Sequence, residues 1–147
     1  LVGDGPLRRQ LECRADALGL RSVRFVGPVP KAEVPTRLAA MDACVVVLRD
    51  LPLYRYGVSL NKLADYLAAG VPVILSGKPA NDIVAESGGG LSVPPMDPLA
   101  LADAVERLSA MPDEERRRIG ARGRAFVVEH RNWRDLAVRY EGVLLPR

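Results

Sequence analysis

The stretch Ala43–Leu75, "ACVVVLRDLPLYRYGVSLNKLADYLAAGVPVIL", decides how the chain folds. It opens with a continuous apolar run, "ACVVVLR", of the kind found in a strand covered on both faces. The loop "LPLYRYG" follows. From Ser59 to about Ala69, Leu60, Leu63, Ala64 and Leu67 recur at helical spacing and stop at Gly70. "VPVIL" is then a second short buried run. Strand, helix and strand in succession predict two parallel strands joined by a helical crossover.

The same alternation extends on both sides. Before it, "LVG" reads as a strand end and "DGPLRRQLECRADALGL" as a helix, with Pro6 in its first turn and Gly19 as its C-terminal cap. Leu7, Leu11 and Leu18 mark its apolar stripe. "SVRFVG" predicts a short strand and "KAEVPTRLAAM" a short helix. After it, "GKPANDIVAESGGG" holds a loop, a short helix and a glycine turn, and "LSVPP" predicts a last strand. Asp97 and Pro98 open the helix "DPLALADAVERLSAM". Two more helices start near Asp113 and Asn132. The order predicts an α/β fold, a parallel sheet with helices on both faces and closing helices at the C-terminus.

Composition sets limits. The 147 residues suit one domain, and 48% hydrophobic content is enough for a core. A net charge of +3, with no long basic run, gives no reason to expect a nucleic-acid partner. Cys13 and Cys44 form no CxxC pair, and Cys44 reads as a small buried hydrophobe. The single histidine, His130, excludes a multi-histidine metal site. No apolar stretch reaches ~18 residues, and no signal peptide is visible. The chain opens inside a strand and without Met, so a fragment of something longer is expected.

In such sheets ligands bind beyond the carboxyl ends of the strands. Three loops belong there: "GPVP" after Val26, "RDLPLYRYGVS" after Leu48 and "SGKPAND" after Leu75. The second leads into the helix that begins with Ser, Asn and Lys. First-turn N–H groups lack intrahelical partners, and the helix dipole is positive there, so this end suits an anion. Ser59 stands at the entrance as a cap, and Lys62 adds a full charge one turn in. Asn61, Lys62 and Asp65 share the arc opposite the leucines. Asp65 is placed to accept hydrogen bonds from a diol next to a phosphate. The plainer reading is a capped helix with a solvated face. The long loop carrying Tyr54, Tyr56 and Gly57 weighs against it.

Six segments, "LVGDGPLRRQLE", "VRFVGPVPKAEVP", "DACVVVL", "GVSLNKLADYLAAGVPVILS", "NDIVAESGGGLSVPP" and "DPLALADAVERL", together resemble the carboxyl-terminal, donor-binding half of a glycosyltransferase family 4 enzyme of the GT-B fold. The Ser-Asn-Lys helix start is similar to that of a bacterial subgroup that builds surface polysaccharides and glycolipids.

The resemblance implies one Rossmann-like lobe. It implies that Phe25, Val26, Gly27 and Val29 flank a nucleobase, chiefly through backbone groups. Ser59, Asn61 and Lys62 would lie beside the donor diphosphate, with Tyr56 and Gly57 completing the substrate-binding set. Lys62 would be the catalytic cation. Asp65 takes the place of a glutamate that bonds the ribose hydroxyls. The family's other glutamate, eight residues earlier, falls here on Gly57, and any contact it makes is lost.

The implied reaction is retaining transfer of a sugar from a nucleotide diphosphate, UDP by resemblance to the subgroup, to an acceptor hydroxyl. No metal or other cofactor is expected. The acceptor, a glycan or lipid-linked sugar, would bind another lobe. That lobe and the first strand of this one are absent from the chain, so weak nucleotide binding and no turnover are expected of it alone. The expected setting is the cytoplasm. Peripheral membrane contact through Arg116 to Arg124 competes with a solvated helix face. Asp82 has two readings, helix cap or sugar contact. Phe25, Tyr54 and Tyr56 also read as packing or loop residues. Two rival functions remain: a nucleotide-sugar epimerase lobe and a non-catalytic interaction module.

Overall fold

The computed structural model describes residues 1–145, the side chain of Arg139 excepted. The chain gathers into two compact units, Leu1–Thr36 and the remainder from Arg37.

The first unit contains α1 (Arg8–Ala17) and a 3-10 turn, Lys31–Glu33, that leads into α2 (Val34–Ala39). Gly19 ends α1 at φ +65°, and the N–H groups of Gly19 and Leu20 return to the carbonyls of Asp16 and Ala15. Glycine suits this left-handed position because it has no Cβ to strain. The predicted strand at 22–27 is corrected to one parallel bridge, Val2 to Gly27. Its partner is Leu1–Gly3, and the Val26 N–H to Leu1 and Gly3 N–H to Gly27 bonds are too few for a ladder.

The second unit is built on three parallel strands in the order β1 (Cys44–Val47), β2 (Val73–Ser76), β3 (Gly90–Val93). Between them run α3 (Asn61–Ala68) and α4 (Ile83–Ser87), and then α5 (Pro98–Ala110), α6 (Asp113–His130) and α7 (Trp133–Leu144) close the chain. Crossovers of helical length allow strands to pair in parallel. One face of the sheet packs Val46, Val73 and Leu75 against Leu63 and Leu67 of α3, Val84 of α4 and Val127 of α6. The other face packs Ile74 against Ala104 and Leu108 of α5 and Ile119 of α6. The two-sided sheet with helices on both faces is as the sequence predicts.

β1 departs from that expectation. Cys44 and Val46 are buried, but Val45 is 45% and Val47 62% exposed. α5 packs chiefly on β2 and β3, and the side of β1 that carries Val45 and Val47 is left open. An all-valine run reads the same whether one face or both are covered.

α6 approaches the sheet layer through two glycines. Gly120 lies against the backbone of Gly70, and Gly123 against Leu67 and the Cα of Gly89. Two of its five arginines tie it to neighbouring helix ends. Arg116 donates to the carbonyls of Leu108 and Met111 at the end of α5 and pairs with Asp113. Arg122 donates to the Gly88 carbonyl just past α4. These cations meet helix carboxyl ends, where orphan carbonyls and the dipole favour them. Arg117, Arg118 and Arg124 face solvent.

Asp82 resolves as a cap. One carboxylate oxygen accepts from the N–H groups of Val84 at 3.1 Å and Ala85 at 3.0 Å. Asp82→Ala is expected to destabilise the fold by about 1 kcal/mol. A urea-unfolding midpoint that does not move would contradict that role. Gly88, at φ +60°, and Gly89 close α4 onto its own carbonyls and make the tight turn into β3 that the triple glycine predicts.

Candidate functional site

The carboxyl ends of β1 and β2 lead into the two loops of this unit that the sequence assigns to the binding edge. After β1 the chain forms a 3-10 turn, Pro52–Tyr56, and then passes through Gly57 and Val58 to α3. After β2 it runs through Gly77 and Lys78 to Asn81 and α4. The two loops are tied together. Ala80 N–H donates to the Tyr54 carbonyl at 2.9 Å. The Asn81 side chain bonds Val58 in both directions: Oδ1 accepts from its N–H at 2.7 Å, and Nδ2 donates to its carbonyl at 2.8 Å.

α3 carries the candidate anion site. Its inner side is buried as the spacing predicts, with Leu63 2% and Leu67 0% exposed, while Leu60 and Ala64 are half-buried. Burying two such leucines contributes about 1.5–3 kcal/mol each. Asn61, Lys62 and Asp65 are all exposed on the outer arc.

The start of the helix is corrected. It begins at Asn61 rather than Ser59, and Leu60 occupies the cap position with extended backbone. Leu60 packs against the core, which turns the chain inward one residue after Ser59. Ser59 is therefore exposed just outside the helix and caps nothing.

Among the described residues, three helices follow strands of this sheet, and their amino ends share the carboxyl rim. α4 is capped by Asp82 and α5 by Asp97, whose carboxylate accepts from Ala100 N–H at 2.9 Å. No side chain caps α3. The one amide end on this rim without a carboxylate is the one that carries Lys62. A fixed positive dipole, first-turn N–H groups that no side chain caps and an ammonium in the first turn can hold an anion.

The remaining candidates are placed as follows. Gly57 has φ +95° and sits against Asn81. Tyr56 is exposed. The Arg55 guanidinium lies 4.7 Å from its ring centroid and donates to its hydroxyl. Tyr54 packs on the core, the plainer of its two readings. Beside Asp65, burial pushes the Tyr66 hydroxyl above its ordinary pKa, with Cys44 and Asp65 adding to the shift. It is not an acid or base for neutral pH. Burial likewise pushes the Cys44 thiol up, as suits a core residue.

Phe25, Val26, Gly27 and Val29 lie in the first unit. Phe25 is half-buried and lines an apolar hollow of about 180 Å³ with Leu11 and Leu18. Val26 is exposed, Gly27 buried and Val29 half-buried. The Val26 N–H and Gly27 carbonyl are engaged with Leu1 and Gly3, which narrows the backbone groups this loop can offer a nucleobase.

A hollow of about 610 Å³ along α7, lined by Trp133, Leu136, Tyr140 and Leu144, includes none of the candidate residues. His130 packs edge-on against Phe126 and takes no part in the rim. Among the described residues no three His, Cys, Asp or Glu side chains gather as a metal site, and no helix is long and apolar enough to cross a membrane.

Sequence reasoning passed over Asn81. Its neighbour Asp82 already caps α4, so an asparagine there has no helix to serve, and that spare amide was the available signal.

Known proteins share this fold. Residues 1–111 match the family model described as glycosyl transferases group 1. D-rhamnosyltransferase WbpZ of Pseudomonas aeruginosa is 35% identical over 116 residues, which is 78% of this chain and 29% of that protein. Sucrose-phosphate synthase from Thermosynechococcus elongatus superposes with a TM-score of 0.80 at 29% identity, over 98% of this chain and 37% of that one. Anabaena Alr3699/HepE, solved in complex with UDP, shares the fold with a TM-score of 0.76 at 18% identity, over 99% of this chain and 40% of its own. The chain thus spans well under half the length of these proteins. On its sequence match and its sheet alike, it belongs to the group 1 glycosyl transferases.

Proposed function

We propose that the whole protein is a retaining glycosyltransferase of family 4, and that this chain is its carboxyl-terminal, donor-binding part. The donor is a nucleotide diphosphate sugar, with UDP as the nucleotide. The acceptor is a hydroxyl of a cell-surface glycan or glycolipid, held by the rest of the protein, and the setting is the cytoplasm. One observation carries the reading: the uncapped amide end of α3, with Lys62 in its first turn, stands on a rim whose neighbouring helix ends are sealed by Asp82 and Asp97. The relative named as a D-rhamnosyltransferase and the like-folded protein solved with UDP support a nucleotide-sugar donor.

In the reaction the bond from sugar to diphosphate breaks, and negative charge builds on the departing oxygen. The α3 amides and Lys62 face that charge and stabilise it without reorganising. Asp65, one turn further along the arc, accepts from the ribose hydroxyls. These fixed cationic groups do the work for which other enzymes use a metal, so turnover is expected to persist in EDTA.

Calorimetric titration of the complete protein with UDP, GDP and ADP tests the proposal. UDP is expected to bind, and Lys62→Ala to weaken it. Equal, negligible heat from all three nucleotides would leave a non-catalytic interaction module as the reading.

A further inference from the structure

We infer that Asn81 is a positioning residue for the donor diphosphate, an inference that rests on the donor-site reading above. Its side-chain amide acts on Val58 as a neighbouring strand would, accepting at 2.7 Å and donating at 2.8 Å. Val58 stands just ahead of the α3 amino end, so this pair of bonds fixes the direction in which the chain enters the helix. Entry direction sets where the first-turn amides and Lys62 point.

Three features separate this from an incidental loop contact. Asn81 is spare, because Asp82 alone caps α4. The partner loop is shaped around the amide. A Cβ on Gly57 would lie 2.9 Å from Asn81 Oδ1 and 3.1 Å from its Cγ, and Gly57 also has φ +95°. Glycine is therefore required where the amide passes. Finally, the bond from Ala80 N–H to Tyr54 runs alongside, so the tie joins two loops of the rim rather than two ends of one turn. The loop after β1 has only a short 3-10 turn of its own, and these bonds supply its order.

The position of Asn81 gives a specific expectation. Loss of the tie should weaken recognition of the phosphates and spare recognition of the nucleoside. The experiment uses the complete protein and measures the affinities of UDP and of uridine, the latter by displacement. Asn81→Ala is expected to weaken UDP about tenfold, the scale of a lost hydrogen bond, and to change uridine by less than about twofold. Combining it with Lys62→Ala should cost less than the product of the two single effects, because Lys62 is already misplaced.

A residue that only holds the fold together would lower the melting midpoint and leave the ratio of UDP to uridine affinity unchanged. That result overturns the inference. If Asn81→Ala does not fold, Gly57→Ala, which drives a methyl group into the same amide, is judged by the same ratio. A wild-type protein that binds UDP no better than uridine overturns the donor-site reading itself, and the two failures are thus told apart.

Discussion

Lys62→Ala is expected to lower the turnover of the whole protein by about 100- to 1,000-fold, the usual cost of removing one fixed donor from a site of developing negative charge. The effect should fall on kcat more than on KM. The ground-state diphosphate already carries charge that water and the remaining amides can serve, while the extra charge of bond breaking arises only in the transition state. Lys62→Arg should recover part of the loss, because the charge is kept while its shape and reach change. The fold should be untouched. Lys62 is exposed, and such substitutions usually shift stability by less than about 0.5 kcal/mol. Steady-state release of UDP from the donor measures the rate, and thermal unfolding controls for stability. A kcat within about threefold of wild type would remove Lys62 from the catalytic role.

Gly120→Ala should be among the most damaging small substitutions in the chain. An ideal Cβ at this position lies 1.9 Å from the Gly70 carbonyl oxygen and 2.6 Å from its carbon. Both are backbone atoms at the turn after α3, and no side-chain rotation can clear them. In an exposed helix the same change would stabilise, since alanine is the better helix former. Here α6 must back away from α3 and lift Ile119 and Val127 from their hydrophobic clusters. Overpacking costs of this kind run to about 3 kcal/mol or more. For a protein of about 150–250 residues that is a fall of roughly 6–12 °C in melting temperature, and less for a longer one. Ala121→Gly, on the exposed side of the same turn of α6, serves as the control and should cost no more than about 1 kcal/mol. Equal melting points for Gly120→Ala and wild type would mean that α6 does not rest on the Gly70 backbone.

What could be read from the sequence and what could not divide along physical lines. The crossover from Cys44 to Leu75 was legible because burial imposes a period on leucine and valine. The cap at Asp97 was legible, and the cap at Asp82 was one of its two readings, because a cap acts within three residues of itself. Ser59 misled for the same local reason: serine is a good cap, but Leu60, drawn to the core, took the position. The open side of β1 was hidden, since Val45 and Val47 are apolar whether or not anything lies over them. The strand at 22–27 depended on the length of its partner, which its own residues do not record. Asn81 meets Val58 across 23 residues of chain. Gly120 meets Gly70 only once α6 is docked. In the candidate site the outward arc of α3 was foreseen, while the tie that aims it was not.

The two aspartate caps also discriminate between places for an incoming charge. A dissolved oxyanion drifting along this margin meets a resident carboxylate at α4 and another at α5, and is repelled by each. At α3 it meets bare dipole and ammonium. Traffic is thereby sorted by sign before any shape is consulted.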